Sequence, residues 1–223
     1  MRAQAIQVFD PEVDGQCQKA LGHGPASDWV GDTRGFDLEC AETDLQIEDV
    51  KLDEIRATMG KKSSTKESAF GALLGAFQAF RKAYMDLATK SCGGGNGCTS
   101  SNELGETHVV YQFLTMVEGF KKTGFPSFSA QDAAEAETKL NAGFKDALSS
   151  INSVCAEAKK TNKGEEGLCI ADSELAAQRA WMRYRDAWIA YGAIEWPNVS
   201  ADSWRAYLAL QLLKGCNDCT SLV

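Results

Sequence analysis

The residues best suited to chemistry in this chain are its eight cysteines, Cys17, Cys40, Cys92, Cys98, Cys155, Cys169, Cys216 and Cys219. The C-terminal "CNDC" at 216–219 has the spacing of a pair that cycles between dithiol and disulfide. Such a pair is reactive at a helix N-terminus that follows a strand, where the helix dipole favours thiolate. Here it follows a helical pattern, so the dipole opposes thiolate formation and a structural disulfide is expected instead. Zinc needs thiolates or imidazoles grouped four at a time. The chain has only two histidines, His23 and His108, and no second C-x-x-C, so no metal is expected. An even count with close spacings reads as the disulfide set of a chain from an oxidising compartment. The expected pairings are Cys17–Cys40, Cys92–Cys98, Cys155–Cys169 and Cys216–Cys219, because each closes a short or moderate loop beside a helix.

Other chemistries find less support. Glycoside hydrolysis needs two acids facing one cleft, and 31 Asp and Glu residues mark out no pair. The sequence contains no H-E-x-x-H, no G-x-S-x-G and no Gly-rich phosphate loop. His108 falls within a helical pattern and reads as structural. The expectation is a non-enzyme without a cofactor. A net charge of −8 and a pI of about 4.9 argue against nucleic acid, whose binding relies on clustered Lys and Arg releasing counterions. A basic protein partner is electrostatically natural. No apolar run approaches the ~20 residues that span a bilayer.

The elements that would position these residues read as helices. Residues 1–40 are rich in Gly, Asp and Pro and form a loop-rich leader. Helical patterns follow at 43–59, 66–90, 103–121, 130–160, 171–194 and 200–214. "CGGGNGC" (92–98) and "TGFPSFSAQD" (123–132) interrupt them, the second with a helix start at Ser129. No alternating run with hairpin turn chemistry stands out.

Two of these helices resemble each other. "LGAFQAFRKAYMDLA" (74–88) and "QRAWMRYRDAWIAYG" (178–192) align at an offset of 104. Trp181 then falls on Phe77, Tyr184 on Phe80, Arg185 on Arg81, Trp188 on Tyr84 and Tyr191 on Leu87. The bulky positions recur at i, i+3, i+7 and i+10, which is one helix face. The rings are therefore expected to face a core, each contributing roughly 1.5–3 kcal/mol of burial. Arg179 and Arg183 lie on the flanks. Arg185 and Arg81 adjoin the apolar stripe, where each can anchor a carboxylate or a helix C-terminus. The expected fold is all-α, with tandem three-helix units of about 90 residues forming a disulfide-stapled bundle. The divisions are a leader at 1–40, a divergent first repeat at 41–124 and a second repeat at 125–223.

The stretch "LAAQRAWMRYRDAW" (175–188) resembles the helical domain of the lysozyme inhibitor LprI-like family. That pattern has an early "LN" followed by an aromatic, matched here by Leu140, Asn141 and Phe144. Its later part is matched by Gln178, Arg179, Ala180, Trp181, Tyr184, Arg185, Asp186 and Ala187. The resemblance covers 130–223 well; the first half matches only through Leu45, Phe77, the neighbourhood of Gln78, and Arg81. The family's cysteine after "RDA" is replaced by Ile189 and, in the first copy, by Met85, so its disulfide scheme does not carry over. The resemblance implies a periplasmic protein that binds lysozyme-type muramidases. The expected function is inhibition of such a peptidoglycan hydrolase, a muramidase or amidase, by occluding its cleft as an immunity protein does.

The expected contact residues sit on loops that follow the two aromatic helices. These are Gly94 and Asn96 in the first copy, and Glu195, Trp196 and Asn198 in the second. Trp196 beside Pro197 is read either as an exposed anchor or as a cap on its own bundle. The start "MRAQAIQVFD" lacks an apolar signal stretch, so the chain reads as a mature form whose signal has been removed. Two alternatives remain: a structural or envelope-stress protein without a hydrolase partner, and a thiol oxidoreductase using Cys216 and Cys219.

Overall fold

Four of the helical patterns form long helices: α1 (Ser64–Ser91), α2 (Ala130–Thr161), α3 (Ala171–Glu195) and α4 (Ala201–Asn217). The computed structural model describes residues 50, 52–55, 57, 64–91, 105–106, 109–110, 112–117, 120, 125–161 and 169–217. Helical residues also occur at 52–55 and 112–117, inside the remaining two patterns. Among the described residues there is no strand, and the chain is all-α.

Local chemistry sets the helix ends. At the start of α2 the Ser129 hydroxyl accepts from the Asp132 N–H at 3.1 Å, while the Asp132 carboxylate accepts from the Ser129 N–H at 2.8 Å. This reciprocal pair is a capping box, and its hydrogen bonds hold the Asp132 carboxyl below its ordinary range. The Ser200 hydroxyl accepts from the Ser203 N–H at 3.1 Å and starts α4 in the same way. Ser203 itself is buried, and its hydroxyl bridges the N–H and C=O of Phe128, each at 3.1 Å. That bridge ties the segment before α2 to the start of α4. α3 has no side-chain cap; Asp172 and Glu174 in its first turn complement the dipole instead.

The core is built on α1 and α3, which run antiparallel. Along the pair Lys66 meets Glu195, Phe70 meets Tyr191 at 5.4 Å, Phe77 meets Tyr184 at 5.7 Å, and Lys90 donates to Ser173 at 2.8 Å. Phe80 and Tyr184 stack face to face, 5.4 Å apart and 8° from parallel. These two are matched positions of the internal repeat. A matched pair in mutual contact lies where a two-fold axis would relate the copies, as at the centre of a self-complementary dimer interface. Phe113 fills the space beside them, stacking on Phe77 at 4.2 Å and tilting against Trp188 at 5.7 Å. α2 lies mainly along α4 and more lightly along α3.

The expected burial holds for Phe77, Phe80, Trp181, Tyr184 and Trp188, while Tyr84 is half-buried. The two repeats expected at 41–124 and 125–223 share one apolar cluster, which takes Phe77 and Phe113 from the first and Trp188 and Trp204 from the second. Helical periodicity marks the buried face of each unit but not the helix that will cover it.

The disulfide staple needs correction at Cys155. Its thiol is buried on α2 with Ala158 and is not bonded to Cys169. It serves as a small apolar residue on the inner face of the helix. Cys17, Cys40, Cys92, Cys98 and Cys219 lie outside the described residues. Cys216 falls near the end of α4, but its side chain is also outside them.

Gly192 lets α3 and α4 approach. A Cβ there would lie 2.4 Å from the Trp204 indole, a rigid ring that cannot move aside cheaply. Gly192→Ala is therefore expected to destabilise the fold by about 1–3 kcal/mol, despite alanine's better helix propensity. Gly75→Ala is the control, since nothing lies within 4 Å of a Cβ at this α1 position. It should gain up to about 1 kcal/mol. Urea unfolding of both variants, with unchanged m-values, distinguishes the signs.

Candidate functional site

Of the predicted contact residues, the structure describes those in the α3–α4 turn. α3 ends as the Trp196 N–H donates to the Gly192 carbonyl at 2.8 Å. The Val199 N–H then donates to the Trp196 carbonyl at 2.9 Å, closing a tight turn with Pro197 at its second position. The Trp196 ring turns inward. It meets Phe120 at 5.9 Å and Tyr191 at 5.8 Å, both edge-on, and Trp204 at 5.6 Å. It is half-buried, so it acts as the cap of its own bundle and not as an exposed anchor. Phe120 and Trp204 explain the difference, because together with Tyr191 they offer the ring an apolar seat.

Glu195 is also committed inward. Its carboxylate pairs with Lys66 of α1, with side chains only 16% and 20% exposed. This contact locks the end of α3 to the start of α1. Neither Lys66 nor its pairing could be assigned from sequence, since the partner lies far along the chain. What the turn presents outward is Pro197, Asn198 and, at the end of α3, Ile194, which is 42% exposed. Gly94 and Asn96 lie outside the described residues, as do His23 and His108.

The arginines take up carboxylates as expected. Arg81 pairs with Glu106 at 2.6 Å, and Arg185 with Glu137 of α2 at 3.0 Å. Arg185 also lies over the Trp181 ring, 5.5 Å from its centroid. The two parts of the quoted motif meet here. Leu140 is buried in the same core, and Phe144 packs 6.4 Å from Trp181. Arg179 and Arg183 are exposed.

The shifted ionisable groups have structural causes. Burial raises Tyr184, Tyr191 and Tyr207, Tyr191 to about 12. Burial also raises Glu174 at the start of α3. Among the described residues, no group of three or more His, Cys, Asp or Glu converges as a metal site would require, and no helix is long and apolar enough to cross a membrane.

A shallow groove along α2, bordered by Gln178 of α3, was not assigned from sequence. Asn141, Phe144 and Gln178 of its lining match the LprI-like pattern, and the sequence assigns the others no role. No protein-family model, curated protein or solved structure matches the chain.

The tyrosines give the fold an alkaline limit. Their folded pKa values lie above the unfolded value of 10.0. The neutral form is thus favoured on folding, and the contribution is complete below pH 10. It falls away as pH rises from 10 towards about 12, the value for Tyr191. An absorbance titration should show the core tyrosines ionising only together with loss of helical circular dichroism, whereas all five ionise near pH 10 in denaturant. Smooth ionisation of all five near pH 10 with intact helix signal would contradict their burial.

Proposed function

We propose that this chain is a periplasmic binding protein that inhibits a lysozyme-type peptidoglycan hydrolase, acting as an immunity protein that occludes the enzyme's cleft. The observation that carries the reading is the convergence of the LprI-like motif. Leu140 and Phe144 of α2 meet Trp181 and Arg185 of α3, with Glu137 holding the arginine. Motif residues distant in sequence thus form one packed unit, as a fold-defining pattern should. The net charge of −8 favours approach to a basic cleft rim.

The α3–α4 turn suits occlusion because it is rigid. Trp196 seats it on the aromatic core, the Lys66–Glu195 pair pins the helix end, and Pro197 restricts the backbone. Ile194, Pro197 and Asn198 then form a preorganised contact whose ordering cost is met on folding. The loop around Gly94 and Asn96 is the second proposed contact, following the aromatic helix of the first repeat.

A hydrolysis assay against lysozyme-type muramidases and cell-wall amidases tests the reading. Wild-type protein in stoichiometric excess should abolish hydrolysis. Asn198→Arg combined with Ile194→Arg should weaken inhibition about tenfold or more while leaving the melting temperature nearly unchanged. Trp196→Ala should lower stability first, since its ring is seated in the core. Full hydrolysis in the presence of excess wild type overturns the inhibitor reading. Undiminished inhibition by the double variant moves the contact away from this turn.

A further inference from the structure

The groove on α2 has a chemistry of its own. It is open to solvent, offers about 650 Å³ and is lined by Asn141, Phe144, Lys145, Leu148, Asn152 and Gln178 among others. The α2 members recur three or four residues apart and so share one face. From Asn141 to Ala156, the last residue of the lining on α2, this face runs for about 22 Å. Gln178 reaches it from α3, beside the Phe144–Trp181 contact.

Three properties define the ligand. The first is that the lining is uncharged except for Lys145. α2 carries Asp132, Glu135, Glu137, Asp146 and Glu157, and none of them lines the groove. Of these, only Asp146 falls between Asn141 and Ala156, so the segment that forms the groove is itself poor in carboxylates.

The second is that the carboxamides of Asn141 and Asn152 are exposed and that of Gln178 half-buried, and none is engaged by a hydrogen bond among the described residues. Each offers two donors and an acceptor at fixed separation, which matches adjacent hydroxyl groups on a ring. The third is that the Phe144 ring and Leu148 supply a limited apolar surface for the C–H face of such a ring. An anionic ligand would call for more than one cation. A docking helix would call for an apolar stripe, and the stripe here is mostly amide and hydroxyl.

We infer that the α2 groove is a binding site for a neutral oligosaccharide, held by the Asn141, Asn152 and Gln178 carboxamides with Phe144 beneath a sugar ring. The site stands apart from the α3–α4 turn, because Gln178 and Glu195 are separated by about 25 Å of α3. Its failure and the failure of the inhibitor reading are therefore distinguishable.

Titration of the full chain with chitotetraose and maltotetraose, followed by amide chemical shifts, tests the inference. At least one probe should give saturable shifts centred on 141–156 and Gln178. Asn152→Ala and Gln178→Ala should each weaken that probe about 3- to 10-fold, the loss of one hydrogen bond apiece. Gln78→Ala, an exposed α1 position, should leave it unchanged. Absence of saturable shifts with both probes at millimolar concentration overturns the inference. So do shifts centred elsewhere, or affinity indifferent to both groove substitutions. Binding of a heparin fragment in place of the neutral probes overturns it too, by making the groove an anion site around Lys145.

Discussion

The stack of Phe80 on Tyr184 is the contact on which the rest of the fold depends. It joins α1 to α3 at positions that align between the two aromatic helices, so the two helices present the same kind of surface to each other. A ring stack at such a point fixes the separation of the helices and the height at which they cross. Register along the pair is set towards its ends. Slipping α1 by one turn would separate Lys66 from Glu195, whose side chains are 20% and 16% exposed. A largely buried charge left alone is costly, on the order of 3–5 kcal/mol. The ion pair thus specifies the alignment that lets the rings stack, whatever its net contribution to stability.

From this seam an aromatic chain runs to the end of the bundle. Phe113 bridges Phe77 and Trp188, and Trp188 stacks on Trp204 at 5.4 Å. Trp204 in turn meets Phe120, Phe125 and Trp196. Gly192 is the condition for this, because any side chain at that point would collide with the Trp204 indole. The consequence is functional as well as structural. A tryptophan drawn into such a chain stops being a surface anchor and becomes the seat of the turn that follows it. The outward chemistry of the turn passes to its smaller neighbours, Pro197 and Asn198.

Much of this was legible in the sequence where its cause is local. The helix start at Ser129 is a capping box four residues long, and the bounds of α1, α2, α3 and α4 follow from apolar periodicity and breakers close by. The burial of Trp181, Tyr184 and Trp188 follows from spacing alone. What was not legible depends on partners far away in the chain. Trp196 is seated by Phe120 and Trp204, and Glu195 is paired by Lys66, so no feature around 195–198 announces either. The interlocking of the two repeats was hidden for the same reason: the pattern of α1 is satisfied equally by a partner within its own unit or by α3. Cys155 misled because proximity in sequence to Cys169 says nothing about a thiol turned into a helix seam.

The far part of the polar face of α2 follows from a mismatch of lengths. α2 has 32 residues and α4, along which it mainly lies, has 17. Because Ser203 joins the starts of the two helices, roughly 22 Å at the far end of α2, about residues 147–161, extends beyond what α4 can cover. An apolar stripe on that overhang would leave an exposed patch prone to association. A strongly charged one would be the ordinary solution for a solvated helix. The face from Asn141 to Ala156 is neither: it gathers amides, hydroxyls, one lysine and one aromatic ring beside Gln178. The proposed neutral ligand rich in hydroxyl groups suits such a face, since each carboxamide can both donate to and accept from a hydroxyl.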